Sequence, residues 1–391
     1  MKLELVATCL FGLERLLGEE IEALGYEKIS TIDGRVTFLG DEEAVALSNV
    51  FLRYAERVFI KLGSFRAESF EELFEGTRAL PWADFIGSAD EFPVKGHSIH
   101  SKLFSIPDCQ AIVKKAVVRS MSERYGISIF PEEGVKVQIE FFILNDIATL
   151  MIDTSGTALH KRGYRKDALG APIRETLAAA IAATSRPREN VLLWDPMCGS
   201  GTIAIEAAMQ MRRIAPGVKR SFAAEKFGFL DKKLFDLARE EAREGEIKTE
   251  FRAYASDVDP EAVALAERNA ALAGVSDTVK VFKMDAREIR ADGVRGTIVT
   301  NPPYGERLGN QREAERLYTE IGEHFRSLSP WQVYIITSHP SFEKFYGLRA
   351  DKVRKLYNGM LPCYLYQYFK SDLRRESERA ELRSKNKKHK E

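Results

Sequence analysis

From Ile173 onward the chain alternates short apolar runs with amphipathic stretches, a rhythm that a sheet layered with helices satisfies. Seven runs read as strands: Val191–Asp195, Phe251–Asp257, Thr278–Met284, Thr297–Asn301, Val333–Thr337, Ala350–Leu356 and Tyr364–Phe369. Helices are expected between most of them, notably Thr202–Arg212, Pro260–Ala273 and Gln311–Leu328. The last two runs are joined by a short segment carrying Asn358-Gly359, too short for a helix, so they should pair antiparallel. The expected fold class is α/β: a doubly wound, mostly parallel seven-stranded sheet closing on an antiparallel strand.

The front of the chain has a different texture. Residues 1–60 give a strand near Leu3–Ala7 and a helix with Leu13, Leu16, Leu17, Ile21 and Leu24 on one face. Two strand-like runs follow around Asp33-Gly34, then a helix opened by acidic residues. Residues 61–155 form a second α+β region, with helices at Phe70–Arg78 and Gln110–Arg124 and strands at Pro93–Ile99, Val135–Ile143 and Ile147–Ile152. Residues 156–172 cluster Gly with basic side chains and read as a linker to the α/β domain, 173–373. The charged tail, 374–391, reads as disordered, with a basic arm for nucleic acid as the sharper alternative.

Composition excludes several classes. Lys+Arg and Asp+Glu both total 58, so nothing global draws the chain to nucleic acid or anionic lipid, and such binding must be local. The four cysteines, Cys9, Cys109, Cys198 and Cys363, form no CxxC pair, and no metal site is expected. No signal peptide and no apolar run long enough to span a membrane is read, so a cytoplasmic location follows. Gly217–Lys248 interrupts the strand–helix rhythm as a long insertion, read as either a lid or a substrate wall.

Two segments carry chemistry. In VLLWDPMCGSGT a buried strand ends at Asp195, and Gly199 and Gly201 permit a tight turn before a helix beginning at Thr202. The third glycine of a dinucleotide fingerprint is Ala204, and the next strand-end acid, Asp257, lies too far along, so a nicotinamide cofactor fits poorly. Asp195-Pro196-Met197-Cys198-Gly199-Ser200-Gly201-Thr202 resembles motif I of the class I methyltransferases, which bind S-adenosylmethionine. The resemblance assigns Asp257 to the ribose hydroxyls and Asp285 to the adenine amine. Each Asp could equally cap the helix that follows it.

The second segment, TIVTNPPYGERLG, ends a strand at Asn301 and stiffens the turn with Pro302 and Pro303 before Tyr304. An amide oxygen at Asn301 and the carbonyl of Pro302 can each accept one N–H of an exocyclic amine, while Tyr304 stacks on the base. It resembles the (Asn/Asp)-Pro-Pro-(Tyr/Phe) motif of amino-group methyltransferases acting on DNA and RNA. The alternative is a proline turn with Tyr304 as packing. Cys198 and Cys363 read as packing residues rather than nucleophiles.

Beyond these motifs, LHKRGYR (Leu159–Arg165), APIRETLAAAI, KRSFAAEKF and LYNGMLPCYLYQY resemble a bacterial group in which a ferredoxin-like unit and a THUMP domain precede a methyltransferase domain. That resemblance implies RNA as partner, with guanine-N2 of 23S ribosomal RNA, naked or in a precursor particle, as the target. Some relatives carry a second methyltransferase domain behind the first; here the chain stops, and a single modification is expected. Lys95, Lys102, Lys161, Arg162, Tyr164 and Arg165 are the candidate RNA contacts, with His160, Lys114, Lys115 and Lys166 beside them. Adenine-N6 methylation of DNA, or a non-catalytic role in ribosome assembly, are the alternatives.

Overall fold

The computed structural model describes residues 1–165, 173–304 and 311–369. The expected tail, residues 374–391, and Lys166 lie outside the described residues. The chain divides into two compact units. One comprises Met1–Cys9, Leu13–Arg162 and Ala215–Gly245; the other comprises Leu10–Gly12, Gly163–Ile214 and the chain from Glu246 on.

The first unit is built from β1 (Leu3–Cys9), α1 (Glu14–Ala23), β2 (Lys28–Ile32), β3 (Arg35–Gly40), α2 (Glu42–Phe51), β4 (Ala55–Arg66), α3 (Phe70–Arg78), β5 (Val94–Ile99), α4 (Ile106–Tyr125), β6 (Ile139–Leu144) and β7 (Ile147–Asp153). Its strands form one sheet in the order β2-β3-β1-β4-β7-β6-β5. The Asp33-Gly34 turn joins β2 to β3 as expected. Local chemistry starts the helices: Asp41 accepts from the Ala44 amide, and Ser69 and Glu72 form a capping box.

The pattern of the sequence conceals β4. It places Glu56 and Arg57 side by side, buries Val58, Phe59 and Ile60 in succession, and shifts register between Lys61 and Gly63, so it lacks clean alternation. Yet it is central, pairing with both β1 and β7 at Phe59, Ile60 and Lys61. The strand expected from Val135 begins only at Ile139. Before it, the Val135 and Val137 amides bond to Asp90 Oδ1 and the Glu91 carbonyl, outside the regular ladder.

The insertion also belongs to this unit. Its helix α7 (Lys233–Glu244) and the buried Phe222, Phe227 and Phe235 add to the first unit's core. The Gly217 amide donates to the Val50 carbonyl at 2.8 Å, and a Cβ at Gly217 would stand 2.6 Å from the Asn49 carbonyl oxygen. Arg220 donates to the carbonyls of Thr157 and Ala158, and Phe229 meets Phe85 edge-on at 5.0 Å. The segment is thus anchored in the first unit's core through these residues.

The second unit contains α5 (Glu175–Ser185), β8 (Leu192–Asp195), α6 (Thr202–Met211), β9 (Ala253–Asp257), α8 (Pro260–Ala273), β10 (Val279–Lys283), β11 (Gly296–Thr300), α9 (Gln311–Ser327), β12 (Gln332–Thr337), α10 (Phe342–Tyr346), β13 (Lys352–Asn358) and β14 (Leu361–Tyr368). Its seven-stranded sheet runs β10-β9-β8-β11-β12-β14-β13. The first five are parallel, and β14 is antiparallel to both β12 and β13, which is the topology the sequence predicts. Asp259 caps α8, Pro260 occupies its first turn, and Gly274 ends it in the left-handed conformation. Ile298, Ile335, Tyr318, Phe325 and Phe342 sit among the buried residues between this sheet and its helices. Among the described residues no helix is long and apolar enough to cross a membrane.

Candidate active site

The order β10-β9-β8-β11 brings four expected residues to one carboxyl edge: Asp285 after β10, Asp257 ending β9, Asp195 ending β8, and Asn301 after β11. In open α/β sheets this edge is where ligands collect. Asp195 is 2% exposed and accepts from Thr300 Oγ1 at 2.7 Å. Burial pushes its carboxyl up to about 7, with Asp257 adding to the rise and the Thr300 and Met197 hydrogen bonds opposing it. A buried carboxylate in this state favours a cationic partner.

The turn after β8 is braced at several points. Asp257 Oδ2 accepts from the Gly199 amide at 2.9 Å, Asn269 donates to the Ser200 carbonyl, and Cys198 N–H bonds to the Ser256 carbonyl. Pro196 and Thr202 are buried at either end. Gly199 has φ +51°, and a Cβ there would meet nothing within 4 Å, which leaves open space beside the backbone. Gly201, at φ +77°, is tight for another reason: a Cβ would lie 3.0 Å from that of Ala266 on α8.

Asp285 has the weakest claim to an open carboxylate. It caps the turn at Ala286–Glu288, and Arg287 engages both of its oxygens while reaching Glu320 at 2.7 Å. Those Arg287 hydrogen bonds hold its carboxyl below the ordinary range.

The turn after β11 gives Pro302 a buried ring and leaves Asn301, Pro303 and Tyr304 partly exposed. The Pro303 carbonyl is occupied: Tyr318 on α9 donates to it at 2.9 Å. Pattern reading of the sequence missed Tyr318, Thr300, Asn269 and Ser256, because each stands in a helix or strand whose periodicity explains it as packing.

The candidate RNA contacts separate. Lys95, Lys102, Lys115 and Lys161 are exposed, Lys102 pairing with Glu68. Arg162, Tyr164 and Arg165 depart from the expectation. Arg162 is 4% exposed and donates to the carbonyls of Leu159 and Arg53. Tyr164 is buried with its hydroxyl on Glu206 at 3.0 Å, and Arg165 is held by Glu175, Thr202 and the Ile173 carbonyl. These three are internal ties, because their donors are committed to buried acceptors. His160 contacts Glu56 at 2.9 Å and Lys114 contacts Glu132 at 2.7 Å. Burial raises the thiols of Cys198 and Cys363, in keeping with packing. Among the described residues no group of three or more His, Cys, Asp or Glu side chains could hold a metal.

Comparison with known proteins fits this edge. Residues 162–367 match the family described as RMKL-like, methyltransferase domain. The chain belongs to the RMKL-like methyltransferases. Ahead of that match, residues 4–59 match the RlmL ferredoxin-like domain and residues 67–153 the THUMP domain. This RMKL-like chain is 42% identical to "Putative RNA methyltransferase YpsC" of Bacillus subtilis, covering 94% of this chain and 96% of that protein. It is 34% identical to "Ribosomal RNA large subunit methyltransferase K/L" of Syntrophotalea carbinolica over 93% of its own length, and spans 53% of that protein. A solved structure described as "SMU.472, a putative methyltransferase complexed with SAH" is 41% identical, with a TM-score of 0.87 over 94% of this chain and 98% of that one. The cofactor that follows is S-adenosylmethionine. The buried Asp195 carboxyl and the open space at Gly199 suit its cationic, ribose-bearing shape.

Proposed function

We propose that this chain methylates an exocyclic amine of a base in RNA, and that the base is a guanine, modified at N2, of large-subunit ribosomal RNA or its precursor particle. The observation that carries the chemistry is the placement of Asn301-Pro302-Pro303-Tyr304 directly after β11, the strand beside β8, at the edge shared with Asp195 and Asp257. The THUMP match and the ribosomal relatives support RNA as substrate. A cytoplasmic location accords with such a substrate.

In this reading residues 1–60 are the ferredoxin-like unit, 61–155 the THUMP domain, 156–172 the basic linker, 173–373 the catalytic domain and 374–391 a tail. S-adenosylmethionine supplies an electrophilic methyl on sulfur. Asp195 faces the ammonium, Asp257 the ribose hydroxyls and Asp285 the adenine end, with Pro196, Gly199, Gly201 and Thr202 shaping the turn. Asn301 Oδ1 and the Pro302 carbonyl each accept one N–H of the target amine, which turns its lone pair out of conjugation with the ring. Tyr304 stacks on the base and offsets part of the cost of unstacking it. Lys95, Lys102 and Lys161 touch phosphates.

The assay is methyl transfer to naked ribosomal RNA, to precursor particles and to duplex DNA, with products identified as nucleosides by mass. Methylguanosine from RNA is expected. Methyladenine from DNA would replace the reading, and no transfer to any of the three would favour an assembly role.

A pH dependence follows from Asp195. Its folded value of about 7 lies above the ordinary 3.8, so the folded chain holds a proton that the unfolded chain releases, and this group's support for folding fades as pH rises from about 4 through 7. Binding a cation needs the ionised form. Affinity for S-adenosylhomocysteine should therefore rise from pH 5.5 to 7.5, by up to about tenfold per pH unit below 7. Asp195→Asn should bind more weakly with a flat profile; calorimetry showing the same slope in both proteins would remove Asp195 from this role.

A further inference from the structure

We infer that Tyr318 is a positioning residue for the catalytic turn, fixing the Pro303–Tyr304 peptide plane from behind; this rests on the proposed role of that turn. The Tyr318 hydroxyl lies 2.9 Å from the Pro303 carbonyl oxygen and 3.3 Å from Thr337 Oγ1. The residue is 0% exposed, so its hydroxyl is not traded for water. Proline removes two amide donors from this turn, and the turn therefore has few backbone hydrogen bonds of its own to hold it. The bond from Tyr318 fills that gap at one carbonyl. It leaves the preceding carbonyl, Pro302, to meet the substrate.

The peptide plane matters on both sides. Its oxygen belongs to Pro303 and its N–H to Tyr304, so a bond to the oxygen also sets the direction in which the Tyr304 ring leaves the backbone. A stacking ring misaimed by a small angle loses contact with a flipped base, and catalytic geometry tolerates little error.

The support for Tyr318 is itself rigid. Phe342 meets its ring edge-on at 5.0 Å, and His339 does so at 5.5 Å. His339 Nδ1 accepts the Ser341 amide at 3.3 Å, and its Nε2 stands 3.4 Å from Glu315 of the same helix, α9. Burial, with the Tyr304 phenol nearby, pushes the Tyr318 hydroxyl up to about 12, so it remains a donor across the working pH range. α9 therefore delivers a donor whose ring is packed on two sides by aromatic neighbours.

Tyr318→Phe deletes the hydroxyl and keeps the ring. Against wild type, kcat should fall about tenfold or more, as expected for stranding one buried acceptor, with KM for RNA and the affinity for S-adenosylhomocysteine within about twofold. The Tyr304 amide should exchange hydrogen faster by mass spectrometry, a readout that needs no activity. Phe325→Leu is the matched control: it removes buried apolar volume from the same helix and core but touches none of the groups that hold Tyr318, and kcat should hold. Unchanged Tyr304 exchange in Tyr318→Phe overturns the inference, as does an equal loss of kcat in both variants at equal loss of stability. If wild type methylates nothing while Tyr318→Phe still accelerates Tyr304 exchange, the positioning stands and the proposed function fails.

Discussion

Asn301→Ala should cut the rate of methyl transfer by about 10²–10³-fold while leaving affinity for S-adenosylhomocysteine nearly unchanged. The size follows from what the amide does. An exocyclic base amine is a weak nucleophile because its lone pair is shared with the ring, and it becomes competent only as the nitrogen turns tetrahedral. An acceptor aimed at one of its N–H groups favours that geometry in the transition state more than in the ground state, so its loss falls on kcat rather than on binding. Asn301 directly follows β11, whose end lies level with Ile335 of β12, so removing its side chain leaves the sheet untouched. Single-turnover rates measured with saturating RNA and cofactor would decide. A variant with nearly wild-type kcat would show that the turn after β11 is only a proline turn.

Removing Ala215–Gly245 should unfold the first unit and leave cofactor binding by the second in place. The segment contributes Phe222, Phe227 and Phe235, all at most 3% exposed. Truncating one buried Phe costs about 3–5 kcal/mol. Losing three approaches the whole stability of a domain, about 5–15 kcal/mol. The excision can be closed simply, because the Ile247 amide already bonds to the Arg212 carbonyl at 2.9 Å, bringing the two cut ends near each other. Urea denaturation with limited proteolysis should show the first unit's transition gone, while calorimetry still registers S-adenosylhomocysteine. A first unit that unfolds cooperatively without the segment would contradict this account.

The second unit was legible in the sequence because its signals are local and repeated. Buried strands, helix-opening acids and strand-end turns recur in one phase, which marks a mostly parallel layered sheet, although the order β10-β9-β8-β11-β12-β14-β13 is set by tertiary pairing rather than by local pattern. The antiparallel end was readable from one short connection around Gly359. β4 was not, since adjacent charges, a run of buried residues on both faces and a register shift erase the alternation that marks a strand. Nor was the place of Ala215–Gly245, which depends on contacts with residues far away in sequence, such as Val50 and Thr157. The basic cluster misled for a physical reason: charge density in a sequence does not say whether a guanidinium is solvated. Arg162 and Arg165 are dense in charge and committed to buried acceptors. The acids after β8, β9 and β10 do gather at one sheet edge, and Asp285 shows that an acid after a strand can be a cap.

β4 carries one last implication, for how this protein can be taken apart. Family matches end at residue 59 and resume at 67, so a THUMP fragment cut at those limits would lack β4 altogether. β7 would then present an unpaired row of amides and carbonyls, a template for pairing with other copies. The matched segments and the sheet that folds are different lengths of chain here. RNA-binding constants taken on an excised THUMP fragment would therefore mix recognition with self-association. The smallest honest probe of recognition is the entire seven-stranded sheet with its inserted helix.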